Sequence, residues 1–111
     1  MNVEKLKLKL KELFGEQIVF NKDFDSYAAS IKNLNENFLP WCESVKKGGI
    51  SIIPTSRKLN SVVFIKKIGS SNRCIIIKVI NGEFKEIHLG NHAYYDKLRT
   101  ILGIKRGSKS Y

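Results

Sequence analysis

The hydrophobic pattern of residues 62–89, VVFIKKIGSSNRCIIIKVINGEFKEIHL, predicts three consecutive antiparallel strands. Asn81 and Gly82 separate a run of apolar residues from an alternating run. An Asn-Gly pair suits a two-residue type I′ turn, because that turn needs positive φ at both of its central positions. The Gly-Ser-Ser-Asn sequence at 69–72 marks an earlier turn. We therefore expect a β-meander around which the rest of the chain packs.

The two turns fix a register, and the register decides which side chains share a face of the sheet. A two-residue loop at the Asn-Gly turn places Ile76 opposite Ile87. A four-residue loop at the earlier turn places Lys66 opposite Ile75. Because side chains alternate between faces, the pairs sort into two sets. The first is a core face, carrying Val63, Ile65, Cys74, Ile76, Ile80, Ile87 and Leu89, with Lys67, Lys78 and Lys85 at its margins. The second is the expected site face, carrying Lys66, Arg73, Glu86 and His88 around Phe64, Ile75, Ile77, Val79 and Phe84.

The N-terminal segment 1–15 predicts a helix over residues 3–14, VEKLKLKLKELF. Its leucine–lysine alternation also fits a strand, but nearly all of the residues are strong helix formers. Gly15 is a suitable residue for the end of the helix. Residues 17–20 then predict a short strand.

Between residues 24 and 47 the apolar positions recur at intervals of three and four, which is helical spacing. Proline is tolerated in the first turn of a helix but not in its interior. The pattern therefore predicts one helix over 24–37 and a second, shorter helix with Pro40 near its start. The two form a helical hairpin whose apolar stripe can cover the core face of the sheet.

The remaining segments predict a polar basic loop at 55–60 and a final helix over 92–102. Asn91 suits the N-cap of that helix and Gly103 suits its end. The basic tail 104–111 is expected to be flexible.

The whole chain of 111 residues is long enough for one modest hydrophobic core. The predicted fold class is therefore α+β in a single domain over residues 1–111. The helical hairpin packs on one face of a small antiparallel β-meander, with an extra N-terminal helix and a C-terminal helix.

The charge of the chain points to a polyanionic partner. Twenty basic and ten acidic side chains give a net charge of +10, while the 42% apolar composition is ordinary for a globular domain. Such an excess favours nucleic acid first and an anionic membrane surface second, although positive charge also simply maintains solubility.

Other features of the composition bear on location and cofactors. No run approaches the ~20 apolar residues of a membrane span, and the first residues do not resemble a secretory signal, so we expect a cytoplasmic protein without a membrane partner. Cys42 and Cys74 lack the spacing of a zinc site, and no cofactor is expected.

The order of the elements resembles the RelE/ParE superfamily of small bacterial and archaeal toxins. The resemblance covers roughly residues 17–103 and is carried by three segments: the strand at 62–68 with its lysine, NRCIIIKV at 72–79, and GNHAYY at 90–95. It implies a RelE-like fold and a ribosome-dependent endoribonuclease that cuts mRNA and is held inactive by a cognate antitoxin. The predicted N-terminal helix is additional to the simplest family pattern.

Position by position, the resemblance implies a set of site residues. Arg73 matches an arginine at the start of a strand, and Lys66 matches a basic residue on the preceding strand. His92 matches a position that holds arginine or histidine, and either Tyr94 or Tyr95 matches an aromatic hydroxyl further on. The implied catalytic set is Lys66, Arg73, His92 and Tyr95, and the implied RNA- or phosphate-binding set is Arg57, Lys58, Lys67, Tyr94 and His88.

Metal-free RNA cleavage needs a base for the 2′-hydroxyl, a cation for the phosphate and an acid for the leaving oxygen. Lys66 and Arg73 suit the phosphate, and His92 suits proton transfer near neutral pH. Glu86 and His88 fall on the same expected face, so a carboxylate base or a His88 proton carrier is a second possibility. Glu86 in a plain surface ion pair is the alternative to its role as a base.

Two other functions fit the same sequence. One is a non-enzymatic domain that binds nucleic acid through its charge. The other is a ParE-like inhibitor of DNA gyrase, which acts through protein contact and needs no catalytic residues.

Overall fold

A computed structural model describes residues 2–31, 34–69 and 71–104 of the chain. The described residues form four α-helices and a five-stranded sheet, so the fold class is α+β as predicted. The elements are α1 (Val3–Phe14), β1 (Val19–Phe20), α2 (Phe24–Ser30), α3 (Leu34–Lys47), β2 (Ile53–Pro54), a 3₁₀ turn (Arg57–Leu59), β3 (Ser61–Ile68), β4 (Asn72–Val79), β5 (Phe84–Asn91) and α4 (His92–Leu102).

The strands lie in the order β1-β5-β4-β3-β2. The predicted antiparallel meander of β3, β4 and β5 is confirmed, and the two short strands extend it at its edges. β1 runs parallel to β5. Beyond β1, the side-chain amide of Asn21 continues the pairing, since it donates to the Leu89 carbonyl and accepts from the Leu89 N–H, each at 2.9 Å.

Three helices cover one face of the sheet. On α1 the buried residues Leu6, Leu10 and Phe14 recur every fourth position, and Gly15 ends the helix at φ +113°, as predicted. These side chains join a core with residues from the helices and sheet, among them Phe24, Phe38, Cys42, Phe64, Cys74, Ile76, Phe84, Ile87 and Leu89. We call this surface the helical-layer face.

The prediction of helix boundaries around Pro40 is wrong. α2 ends at Ser30, and α3 continues from Leu34 through the proline to Lys47. Phe38 and Cys42, on either side of the proline, are both fully buried. Burial of the stripe on both sides offsets the ~3 kcal/mol cost of an interior proline. The break therefore falls before Leu34; residues 32 and 33 lie outside the described residues.

The opposite face of the sheet is covered by α4, and we call it the α4 face. Its core contains Val63, Ile65, Ile75, Ile77, Tyr95, Leu98, Leu102 and Ile104. The apolar floor that we expected to be open is thus buried under a helix. Ile104, predicted to begin the flexible tail, is also buried here, and the remaining tail, 105–111, lies outside the described residues.

The predicted register between β3 and β4 is wrong by one residue. Lys66 lies opposite Cys74 and Lys67 lies opposite Arg73, because the loop after Ile68 contains three residues rather than four. A one-residue slip turns every side chain of a strand to the other face. Phe64 and Lys66 therefore belong to the helical-layer face, whereas Val63, Ile65 and Lys67 belong to the α4 face.

The register between β4 and β5 is confirmed along most of its length, including Ile76 opposite Ile87. Near the turn a bulge places Lys78 opposite Phe84, so Phe84 lies on the helical-layer face rather than on the α4 face. Its ring packs 4.6 Å from that of Phe14, centroid to centroid. Only Asn81 of the Asn-Gly pair has positive φ, so the predicted type I′ turn does not form.

Candidate functional site

The junction between β5 and α4 positions the polar residues of the α4 face. The side chain of Asn91 accepts a hydrogen bond from the Tyr94 N–H at 2.9 Å and caps α4, as predicted. A Cβ atom on Gly90 would lie 2.6 Å from the Tyr94 ring. Because glycine has no side chain, Tyr94 can pack directly against the end of β5 and reach back along the strand.

Tyr94 reaches His88, and His88 in turn reaches Glu86. The His88 Nδ1 atom lies 2.7 Å from the Tyr94 hydroxyl, and the Nε2 atom lies 2.9 Å from Glu86 Oε1. A carboxylate only accepts, so Nε2 donates to Glu86, and in the neutral ring Nδ1 accepts from the Tyr94 O–H. The histidine side chain is only 12% exposed and that of Glu86 is 36% exposed. We call this arrangement the Glu86–His88–Tyr94 chain.

The surroundings of Tyr94 keep its phenol protonated. Burial raises the pKa of the Tyr94 hydroxyl; the nearby carboxylates of Glu86 and Asp23 raise it further, while a hydrogen bond with Asn21 lowers it in part. At neutral pH the hydroxyl is therefore a hydrogen-bond donor, which matches its place in the chain.

Arg73 is buried beside this chain, and no described residue neutralises its charge. It is 5% exposed, and no acidic side chain of the described residues forms an ion pair with it. Its Nη1 donates to the Asn72 carbonyl at 2.9 Å, while its Nε has no partner among the described residues. It lies opposite Gly90, the residue on which Tyr94 packs. A buried guanidinium with unused donors is suited to an anion such as phosphate.

The structure separates two cations that we predicted to act together. Lys66 lies on the helical-layer face, near Cys42 and Cys74. Burial raises the pKa of both thiols, and the positive charge of Lys66 lowers it in part. The sheet therefore stands between Lys66 and Arg73, so the prediction that they share one face is wrong. Lys67 is the lysine opposite Arg73, and its side chain is exposed.

His92 and Tyr95 lie close to each other but in different environments. His92 is 53% exposed, and its Nδ1 is 3.1 Å from Asp96 Oδ2. Tyr95 belongs to the core of the α4 face, and its ring centroid lies 5.9 Å from the Arg73 guanidinium carbon and 5.7 Å from the His92 ring. Tyr95 therefore packs near the arginine within the core and does not present an exposed surface.

The other predicted RNA-binding residues lie in two different parts of the described structure. Lys58 is exposed on the 3₁₀ turn, and the side chain of Arg57 lies outside the described residues. His88 and Tyr94 are the two members of that predicted set that the structure joins by a hydrogen bond.

The hydrogen-bonded Glu86–His88–Tyr94 chain differs from the predicted catalytic set. The sequence gives a signal for two of its members, because Glu86 and His88 are two residues apart on one strand and must share a face. The sequence gives no signal for Asn21. Its hydrogen bonds with Leu89 and with Tyr94 depend on a sheet edge formed by segments that are distant along the chain.

The described residues contain neither a cluster suited to a metal ion nor a membrane-spanning helix. Within residues 2–31, 34–69 and 71–104, no three histidine, cysteine, aspartate or glutamate side chains are grouped so that they could hold a metal ion. No helix in the described part of the chain is long and apolar enough to cross a membrane. No protein-family model, curated protein or solved structure matches the sequence significantly.

Proposed function

We propose that this protein is a RelE-like endoribonuclease that cuts mRNA on the ribosome and acts as the toxin of a toxin–antitoxin pair. The observation that carries the proposal is the Glu86–His88–Tyr94 chain beside the buried Arg73, with which no described residue forms an ion pair. The net charge of +10 supports a polyanionic substrate.

In the proposed reaction the Tyr94 oxygen accepts the proton of the RNA 2′-hydroxyl as its own proton passes to His88 Nδ1. Glu86 stabilises the imidazolium that forms. The 2′-oxygen attacks the adjacent phosphorus, and the bond to the 5′-oxygen breaks. The departing oxygen takes a proton from Tyr94 as the imidazolium returns one to the Tyr94 oxygen, so both residues regain their starting protonation states. The products are a 2′,3′-cyclic phosphate and a 5′-hydroxyl.

Arg73 has the electrostatic role in this proposal. Charge accumulates on the phosphate oxygens as the new bond forms, and a guanidinium in a poorly hydrated position stabilises that charge strongly. Lys67, exposed on the neighbouring strand, supplies a second cation at the surface.

The test compares induced expression of the wild-type chain with that of His88→Gln and Tyr94→Phe, scoring growth and mapping mRNA 5′ ends. We expect the wild type to arrest growth and to produce new cuts inside translated codons. Each substitution should lower cutting by about a hundredfold, because it removes one proton-carrying group. Lys97→Met changes an exposed residue of α4, the helix that carries Tyr94. It is the matched control and should preserve cutting.

Cutting that survives both substitutions at the wild-type level contradicts the proposed site. Cutting that is lost in His92→Gln but retained in His88→Gln moves the proton-carrying role to His92. Co-purification with the product of an adjacent gene tests the antitoxin part of the proposal separately.

A non-catalytic nucleic-acid-binding domain is the second candidate, and the burial of Arg73 and His88 under the first turn of α4 favours it. A domain of this kind keeps the charge but does not bring RNA to the buried groups. Folded wild-type protein should then bind RNA with an affinity that falls steeply as salt rises, and should make no new cuts.

A further inference from the structure

A cavity of about 550 Å³ lies on the helical-layer face at the turn end of the sheet. It is bounded by the end of α3, the loop before β2, the start of β3 and the turn between β4 and β5. It shares no residue with the Glu86–His88–Tyr94 chain or with Arg73. Its volume is within the range of cavities that bind small organic molecules.

The walls of this cavity are mostly apolar. Val62, Phe64 and Phe84 form its buried side, and the two phenylalanines are part of the core under the helices. Ile52 and Ile80 line it from positions that are 56% and 45% exposed. Exposed isoleucines around a concave apolar surface are typical of a binding site for an apolar group.

Two lysines give the cavity a charge. The Nζ atoms of Lys46 and Lys78 lie 5.8 Å and 5.9 Å from the centroid of the Phe84 ring. Neither lysine forms an ion pair with any described residue. Glu83 also lines the cavity, but it is exposed and unpaired within the described residues, so the two ammonium groups are not neutralised.

From this combination we propose that the cavity binds an amphiphilic anion, a small molecule with an aliphatic or aromatic body and one anionic head group. The body fills the apolar walls, and the head group lies between Lys46 and Lys78. A neutral molecule of the same shape gains only the apolar contact, and a cationic one is repelled. This inference is independent of the proposed ribonuclease activity.

The first experiment measures binding of octanoate, 1-octanol and octylammonium to the full chain by calorimetry and by NMR shifts. We expect octanoate to bind at least about tenfold more tightly than 1-octanol, because only the carboxylate meets the two ammonium groups. Octylammonium should show no binding. Equal affinities for the acid and the alcohol, or no binding of octanoate at millimolar concentration, overturn the proposal.

The second experiment assigns the site. Lys46→Met and Lys78→Met keep the aliphatic stems and should together weaken octanoate binding by about tenfold or more, whereas Glu83→Gln should strengthen it. Lys47→Met with Lys85→Met removes the same charge from exposed positions outside the cavity and should change the affinity less than about twofold. Equal losses in the two double variants would show general charge attraction and overturn the site.

Discussion

The two faces of the sheet are built from alternate residues of the same strands, yet they differ in what they hold. The helical-layer face packs against three helices and forms a core of aliphatic, aromatic and cysteine side chains. The α4 face is covered by one helix of 11 residues and combines an apolar core with Arg73, His88 and Glu86. One face therefore mainly supplies stability, while the other combines stability with the polar groups suited to chemistry.

The largest expected effect tests the helical-layer face. Leu10 is fully buried and Leu8, on the same helix, is 60% exposed. Leu10→Ala should lower the free energy of unfolding by about 2–5 kcal/mol, because it leaves a cavity, and Leu8→Ala by less than about 0.5 kcal/mol. Urea denaturation measures both. Similar losses in the two variants would contradict the packing of α1 against the sheet.

Arg73→Met separates stability from function on the α4 face. We expect the free energy of unfolding to stay unchanged or to rise by about 1–3 kcal/mol, since the substitution removes a buried charge that has no counter-ion in the described part of the chain. RNA affinity should fall by at least about tenfold, because the phosphate loses its guanidinium. Lys97→Met removes an exposed charge from α4, outside the proposed RNA-binding residues, and is the control. A large loss of stability in Arg73→Met alone would indicate a structural arginine.

Asn91→Ala tests how firmly α4 is held at the junction that forms the site. Loss of the N-cap hydrogen bond should cost about 1 kcal/mol of unfolding free energy. If α4 begins to fray, the hydrogen bond between Tyr94 and His88 should weaken first, which NMR of the His88 ring can detect. An unchanged free energy of unfolding would mean that tertiary packing alone fixes this end of the helix.

The alkaline stability of the protein should depend on Tyr94. The pKa of its hydroxyl is raised in the folded state, so the folded protein holds this proton more tightly than the unfolded chain does. The wild type should therefore lose stability as pH rises above the ordinary tyrosine pKa of about 10, and Tyr94→Phe should lose less. Thermal unfolding of both proteins across that range measures the difference. Parallel curves would contradict the burial of the hydroxyl.

The smallest expected effect is an absence of reaction at the two thiols. Burial raises the pKa of Cys42 and of Cys74, and the nearby Lys66 offsets only part of this change. Iodoacetamide at mildly alkaline pH should leave both cysteines unmodified in the native protein and alkylate both in urea, as mass spectrometry can show. Rapid alkylation of either cysteine in the native state would show that the helical-layer face opens easily.

The elements that the sequence predicted best are those fixed by neighbouring residues. The bounds of α1 and α4, with Gly15 and Gly103 at their ends and Asn91 at the N-cap, match the prediction because caps act within one turn. The pairing of Ile76 with Ile87 also matches the prediction made from the Asn-Gly turn, because the bulge near the turn shifts only the residues between it and the turn.

The errors arose where distant contacts decide between local alternatives. Pro40 favours a helix start nearby, but burial of Phe38 and Cys42 keeps α3 continuous through it. One residue fewer in the β3–β4 loop turned Lys66 away from Arg73, and the bulge in β5 turned Phe84 toward Phe14. In the helix and at the bulge, apolar burial favours the observed structure over the local preference.

The sequence by itself determined the order of the elements, the capped ends of the helices, the excess of positive charge and the common face of Glu86 and His88. Only the tertiary structure decided that Tyr94 completes a hydrogen-bonded chain with them and that Arg73 is buried without a counter-ion among the described residues. The reason is physical: strand alternation and helix caps are local properties, whereas the placement of α4 over the sheet depends on the burial of side chains that are far apart along the chain.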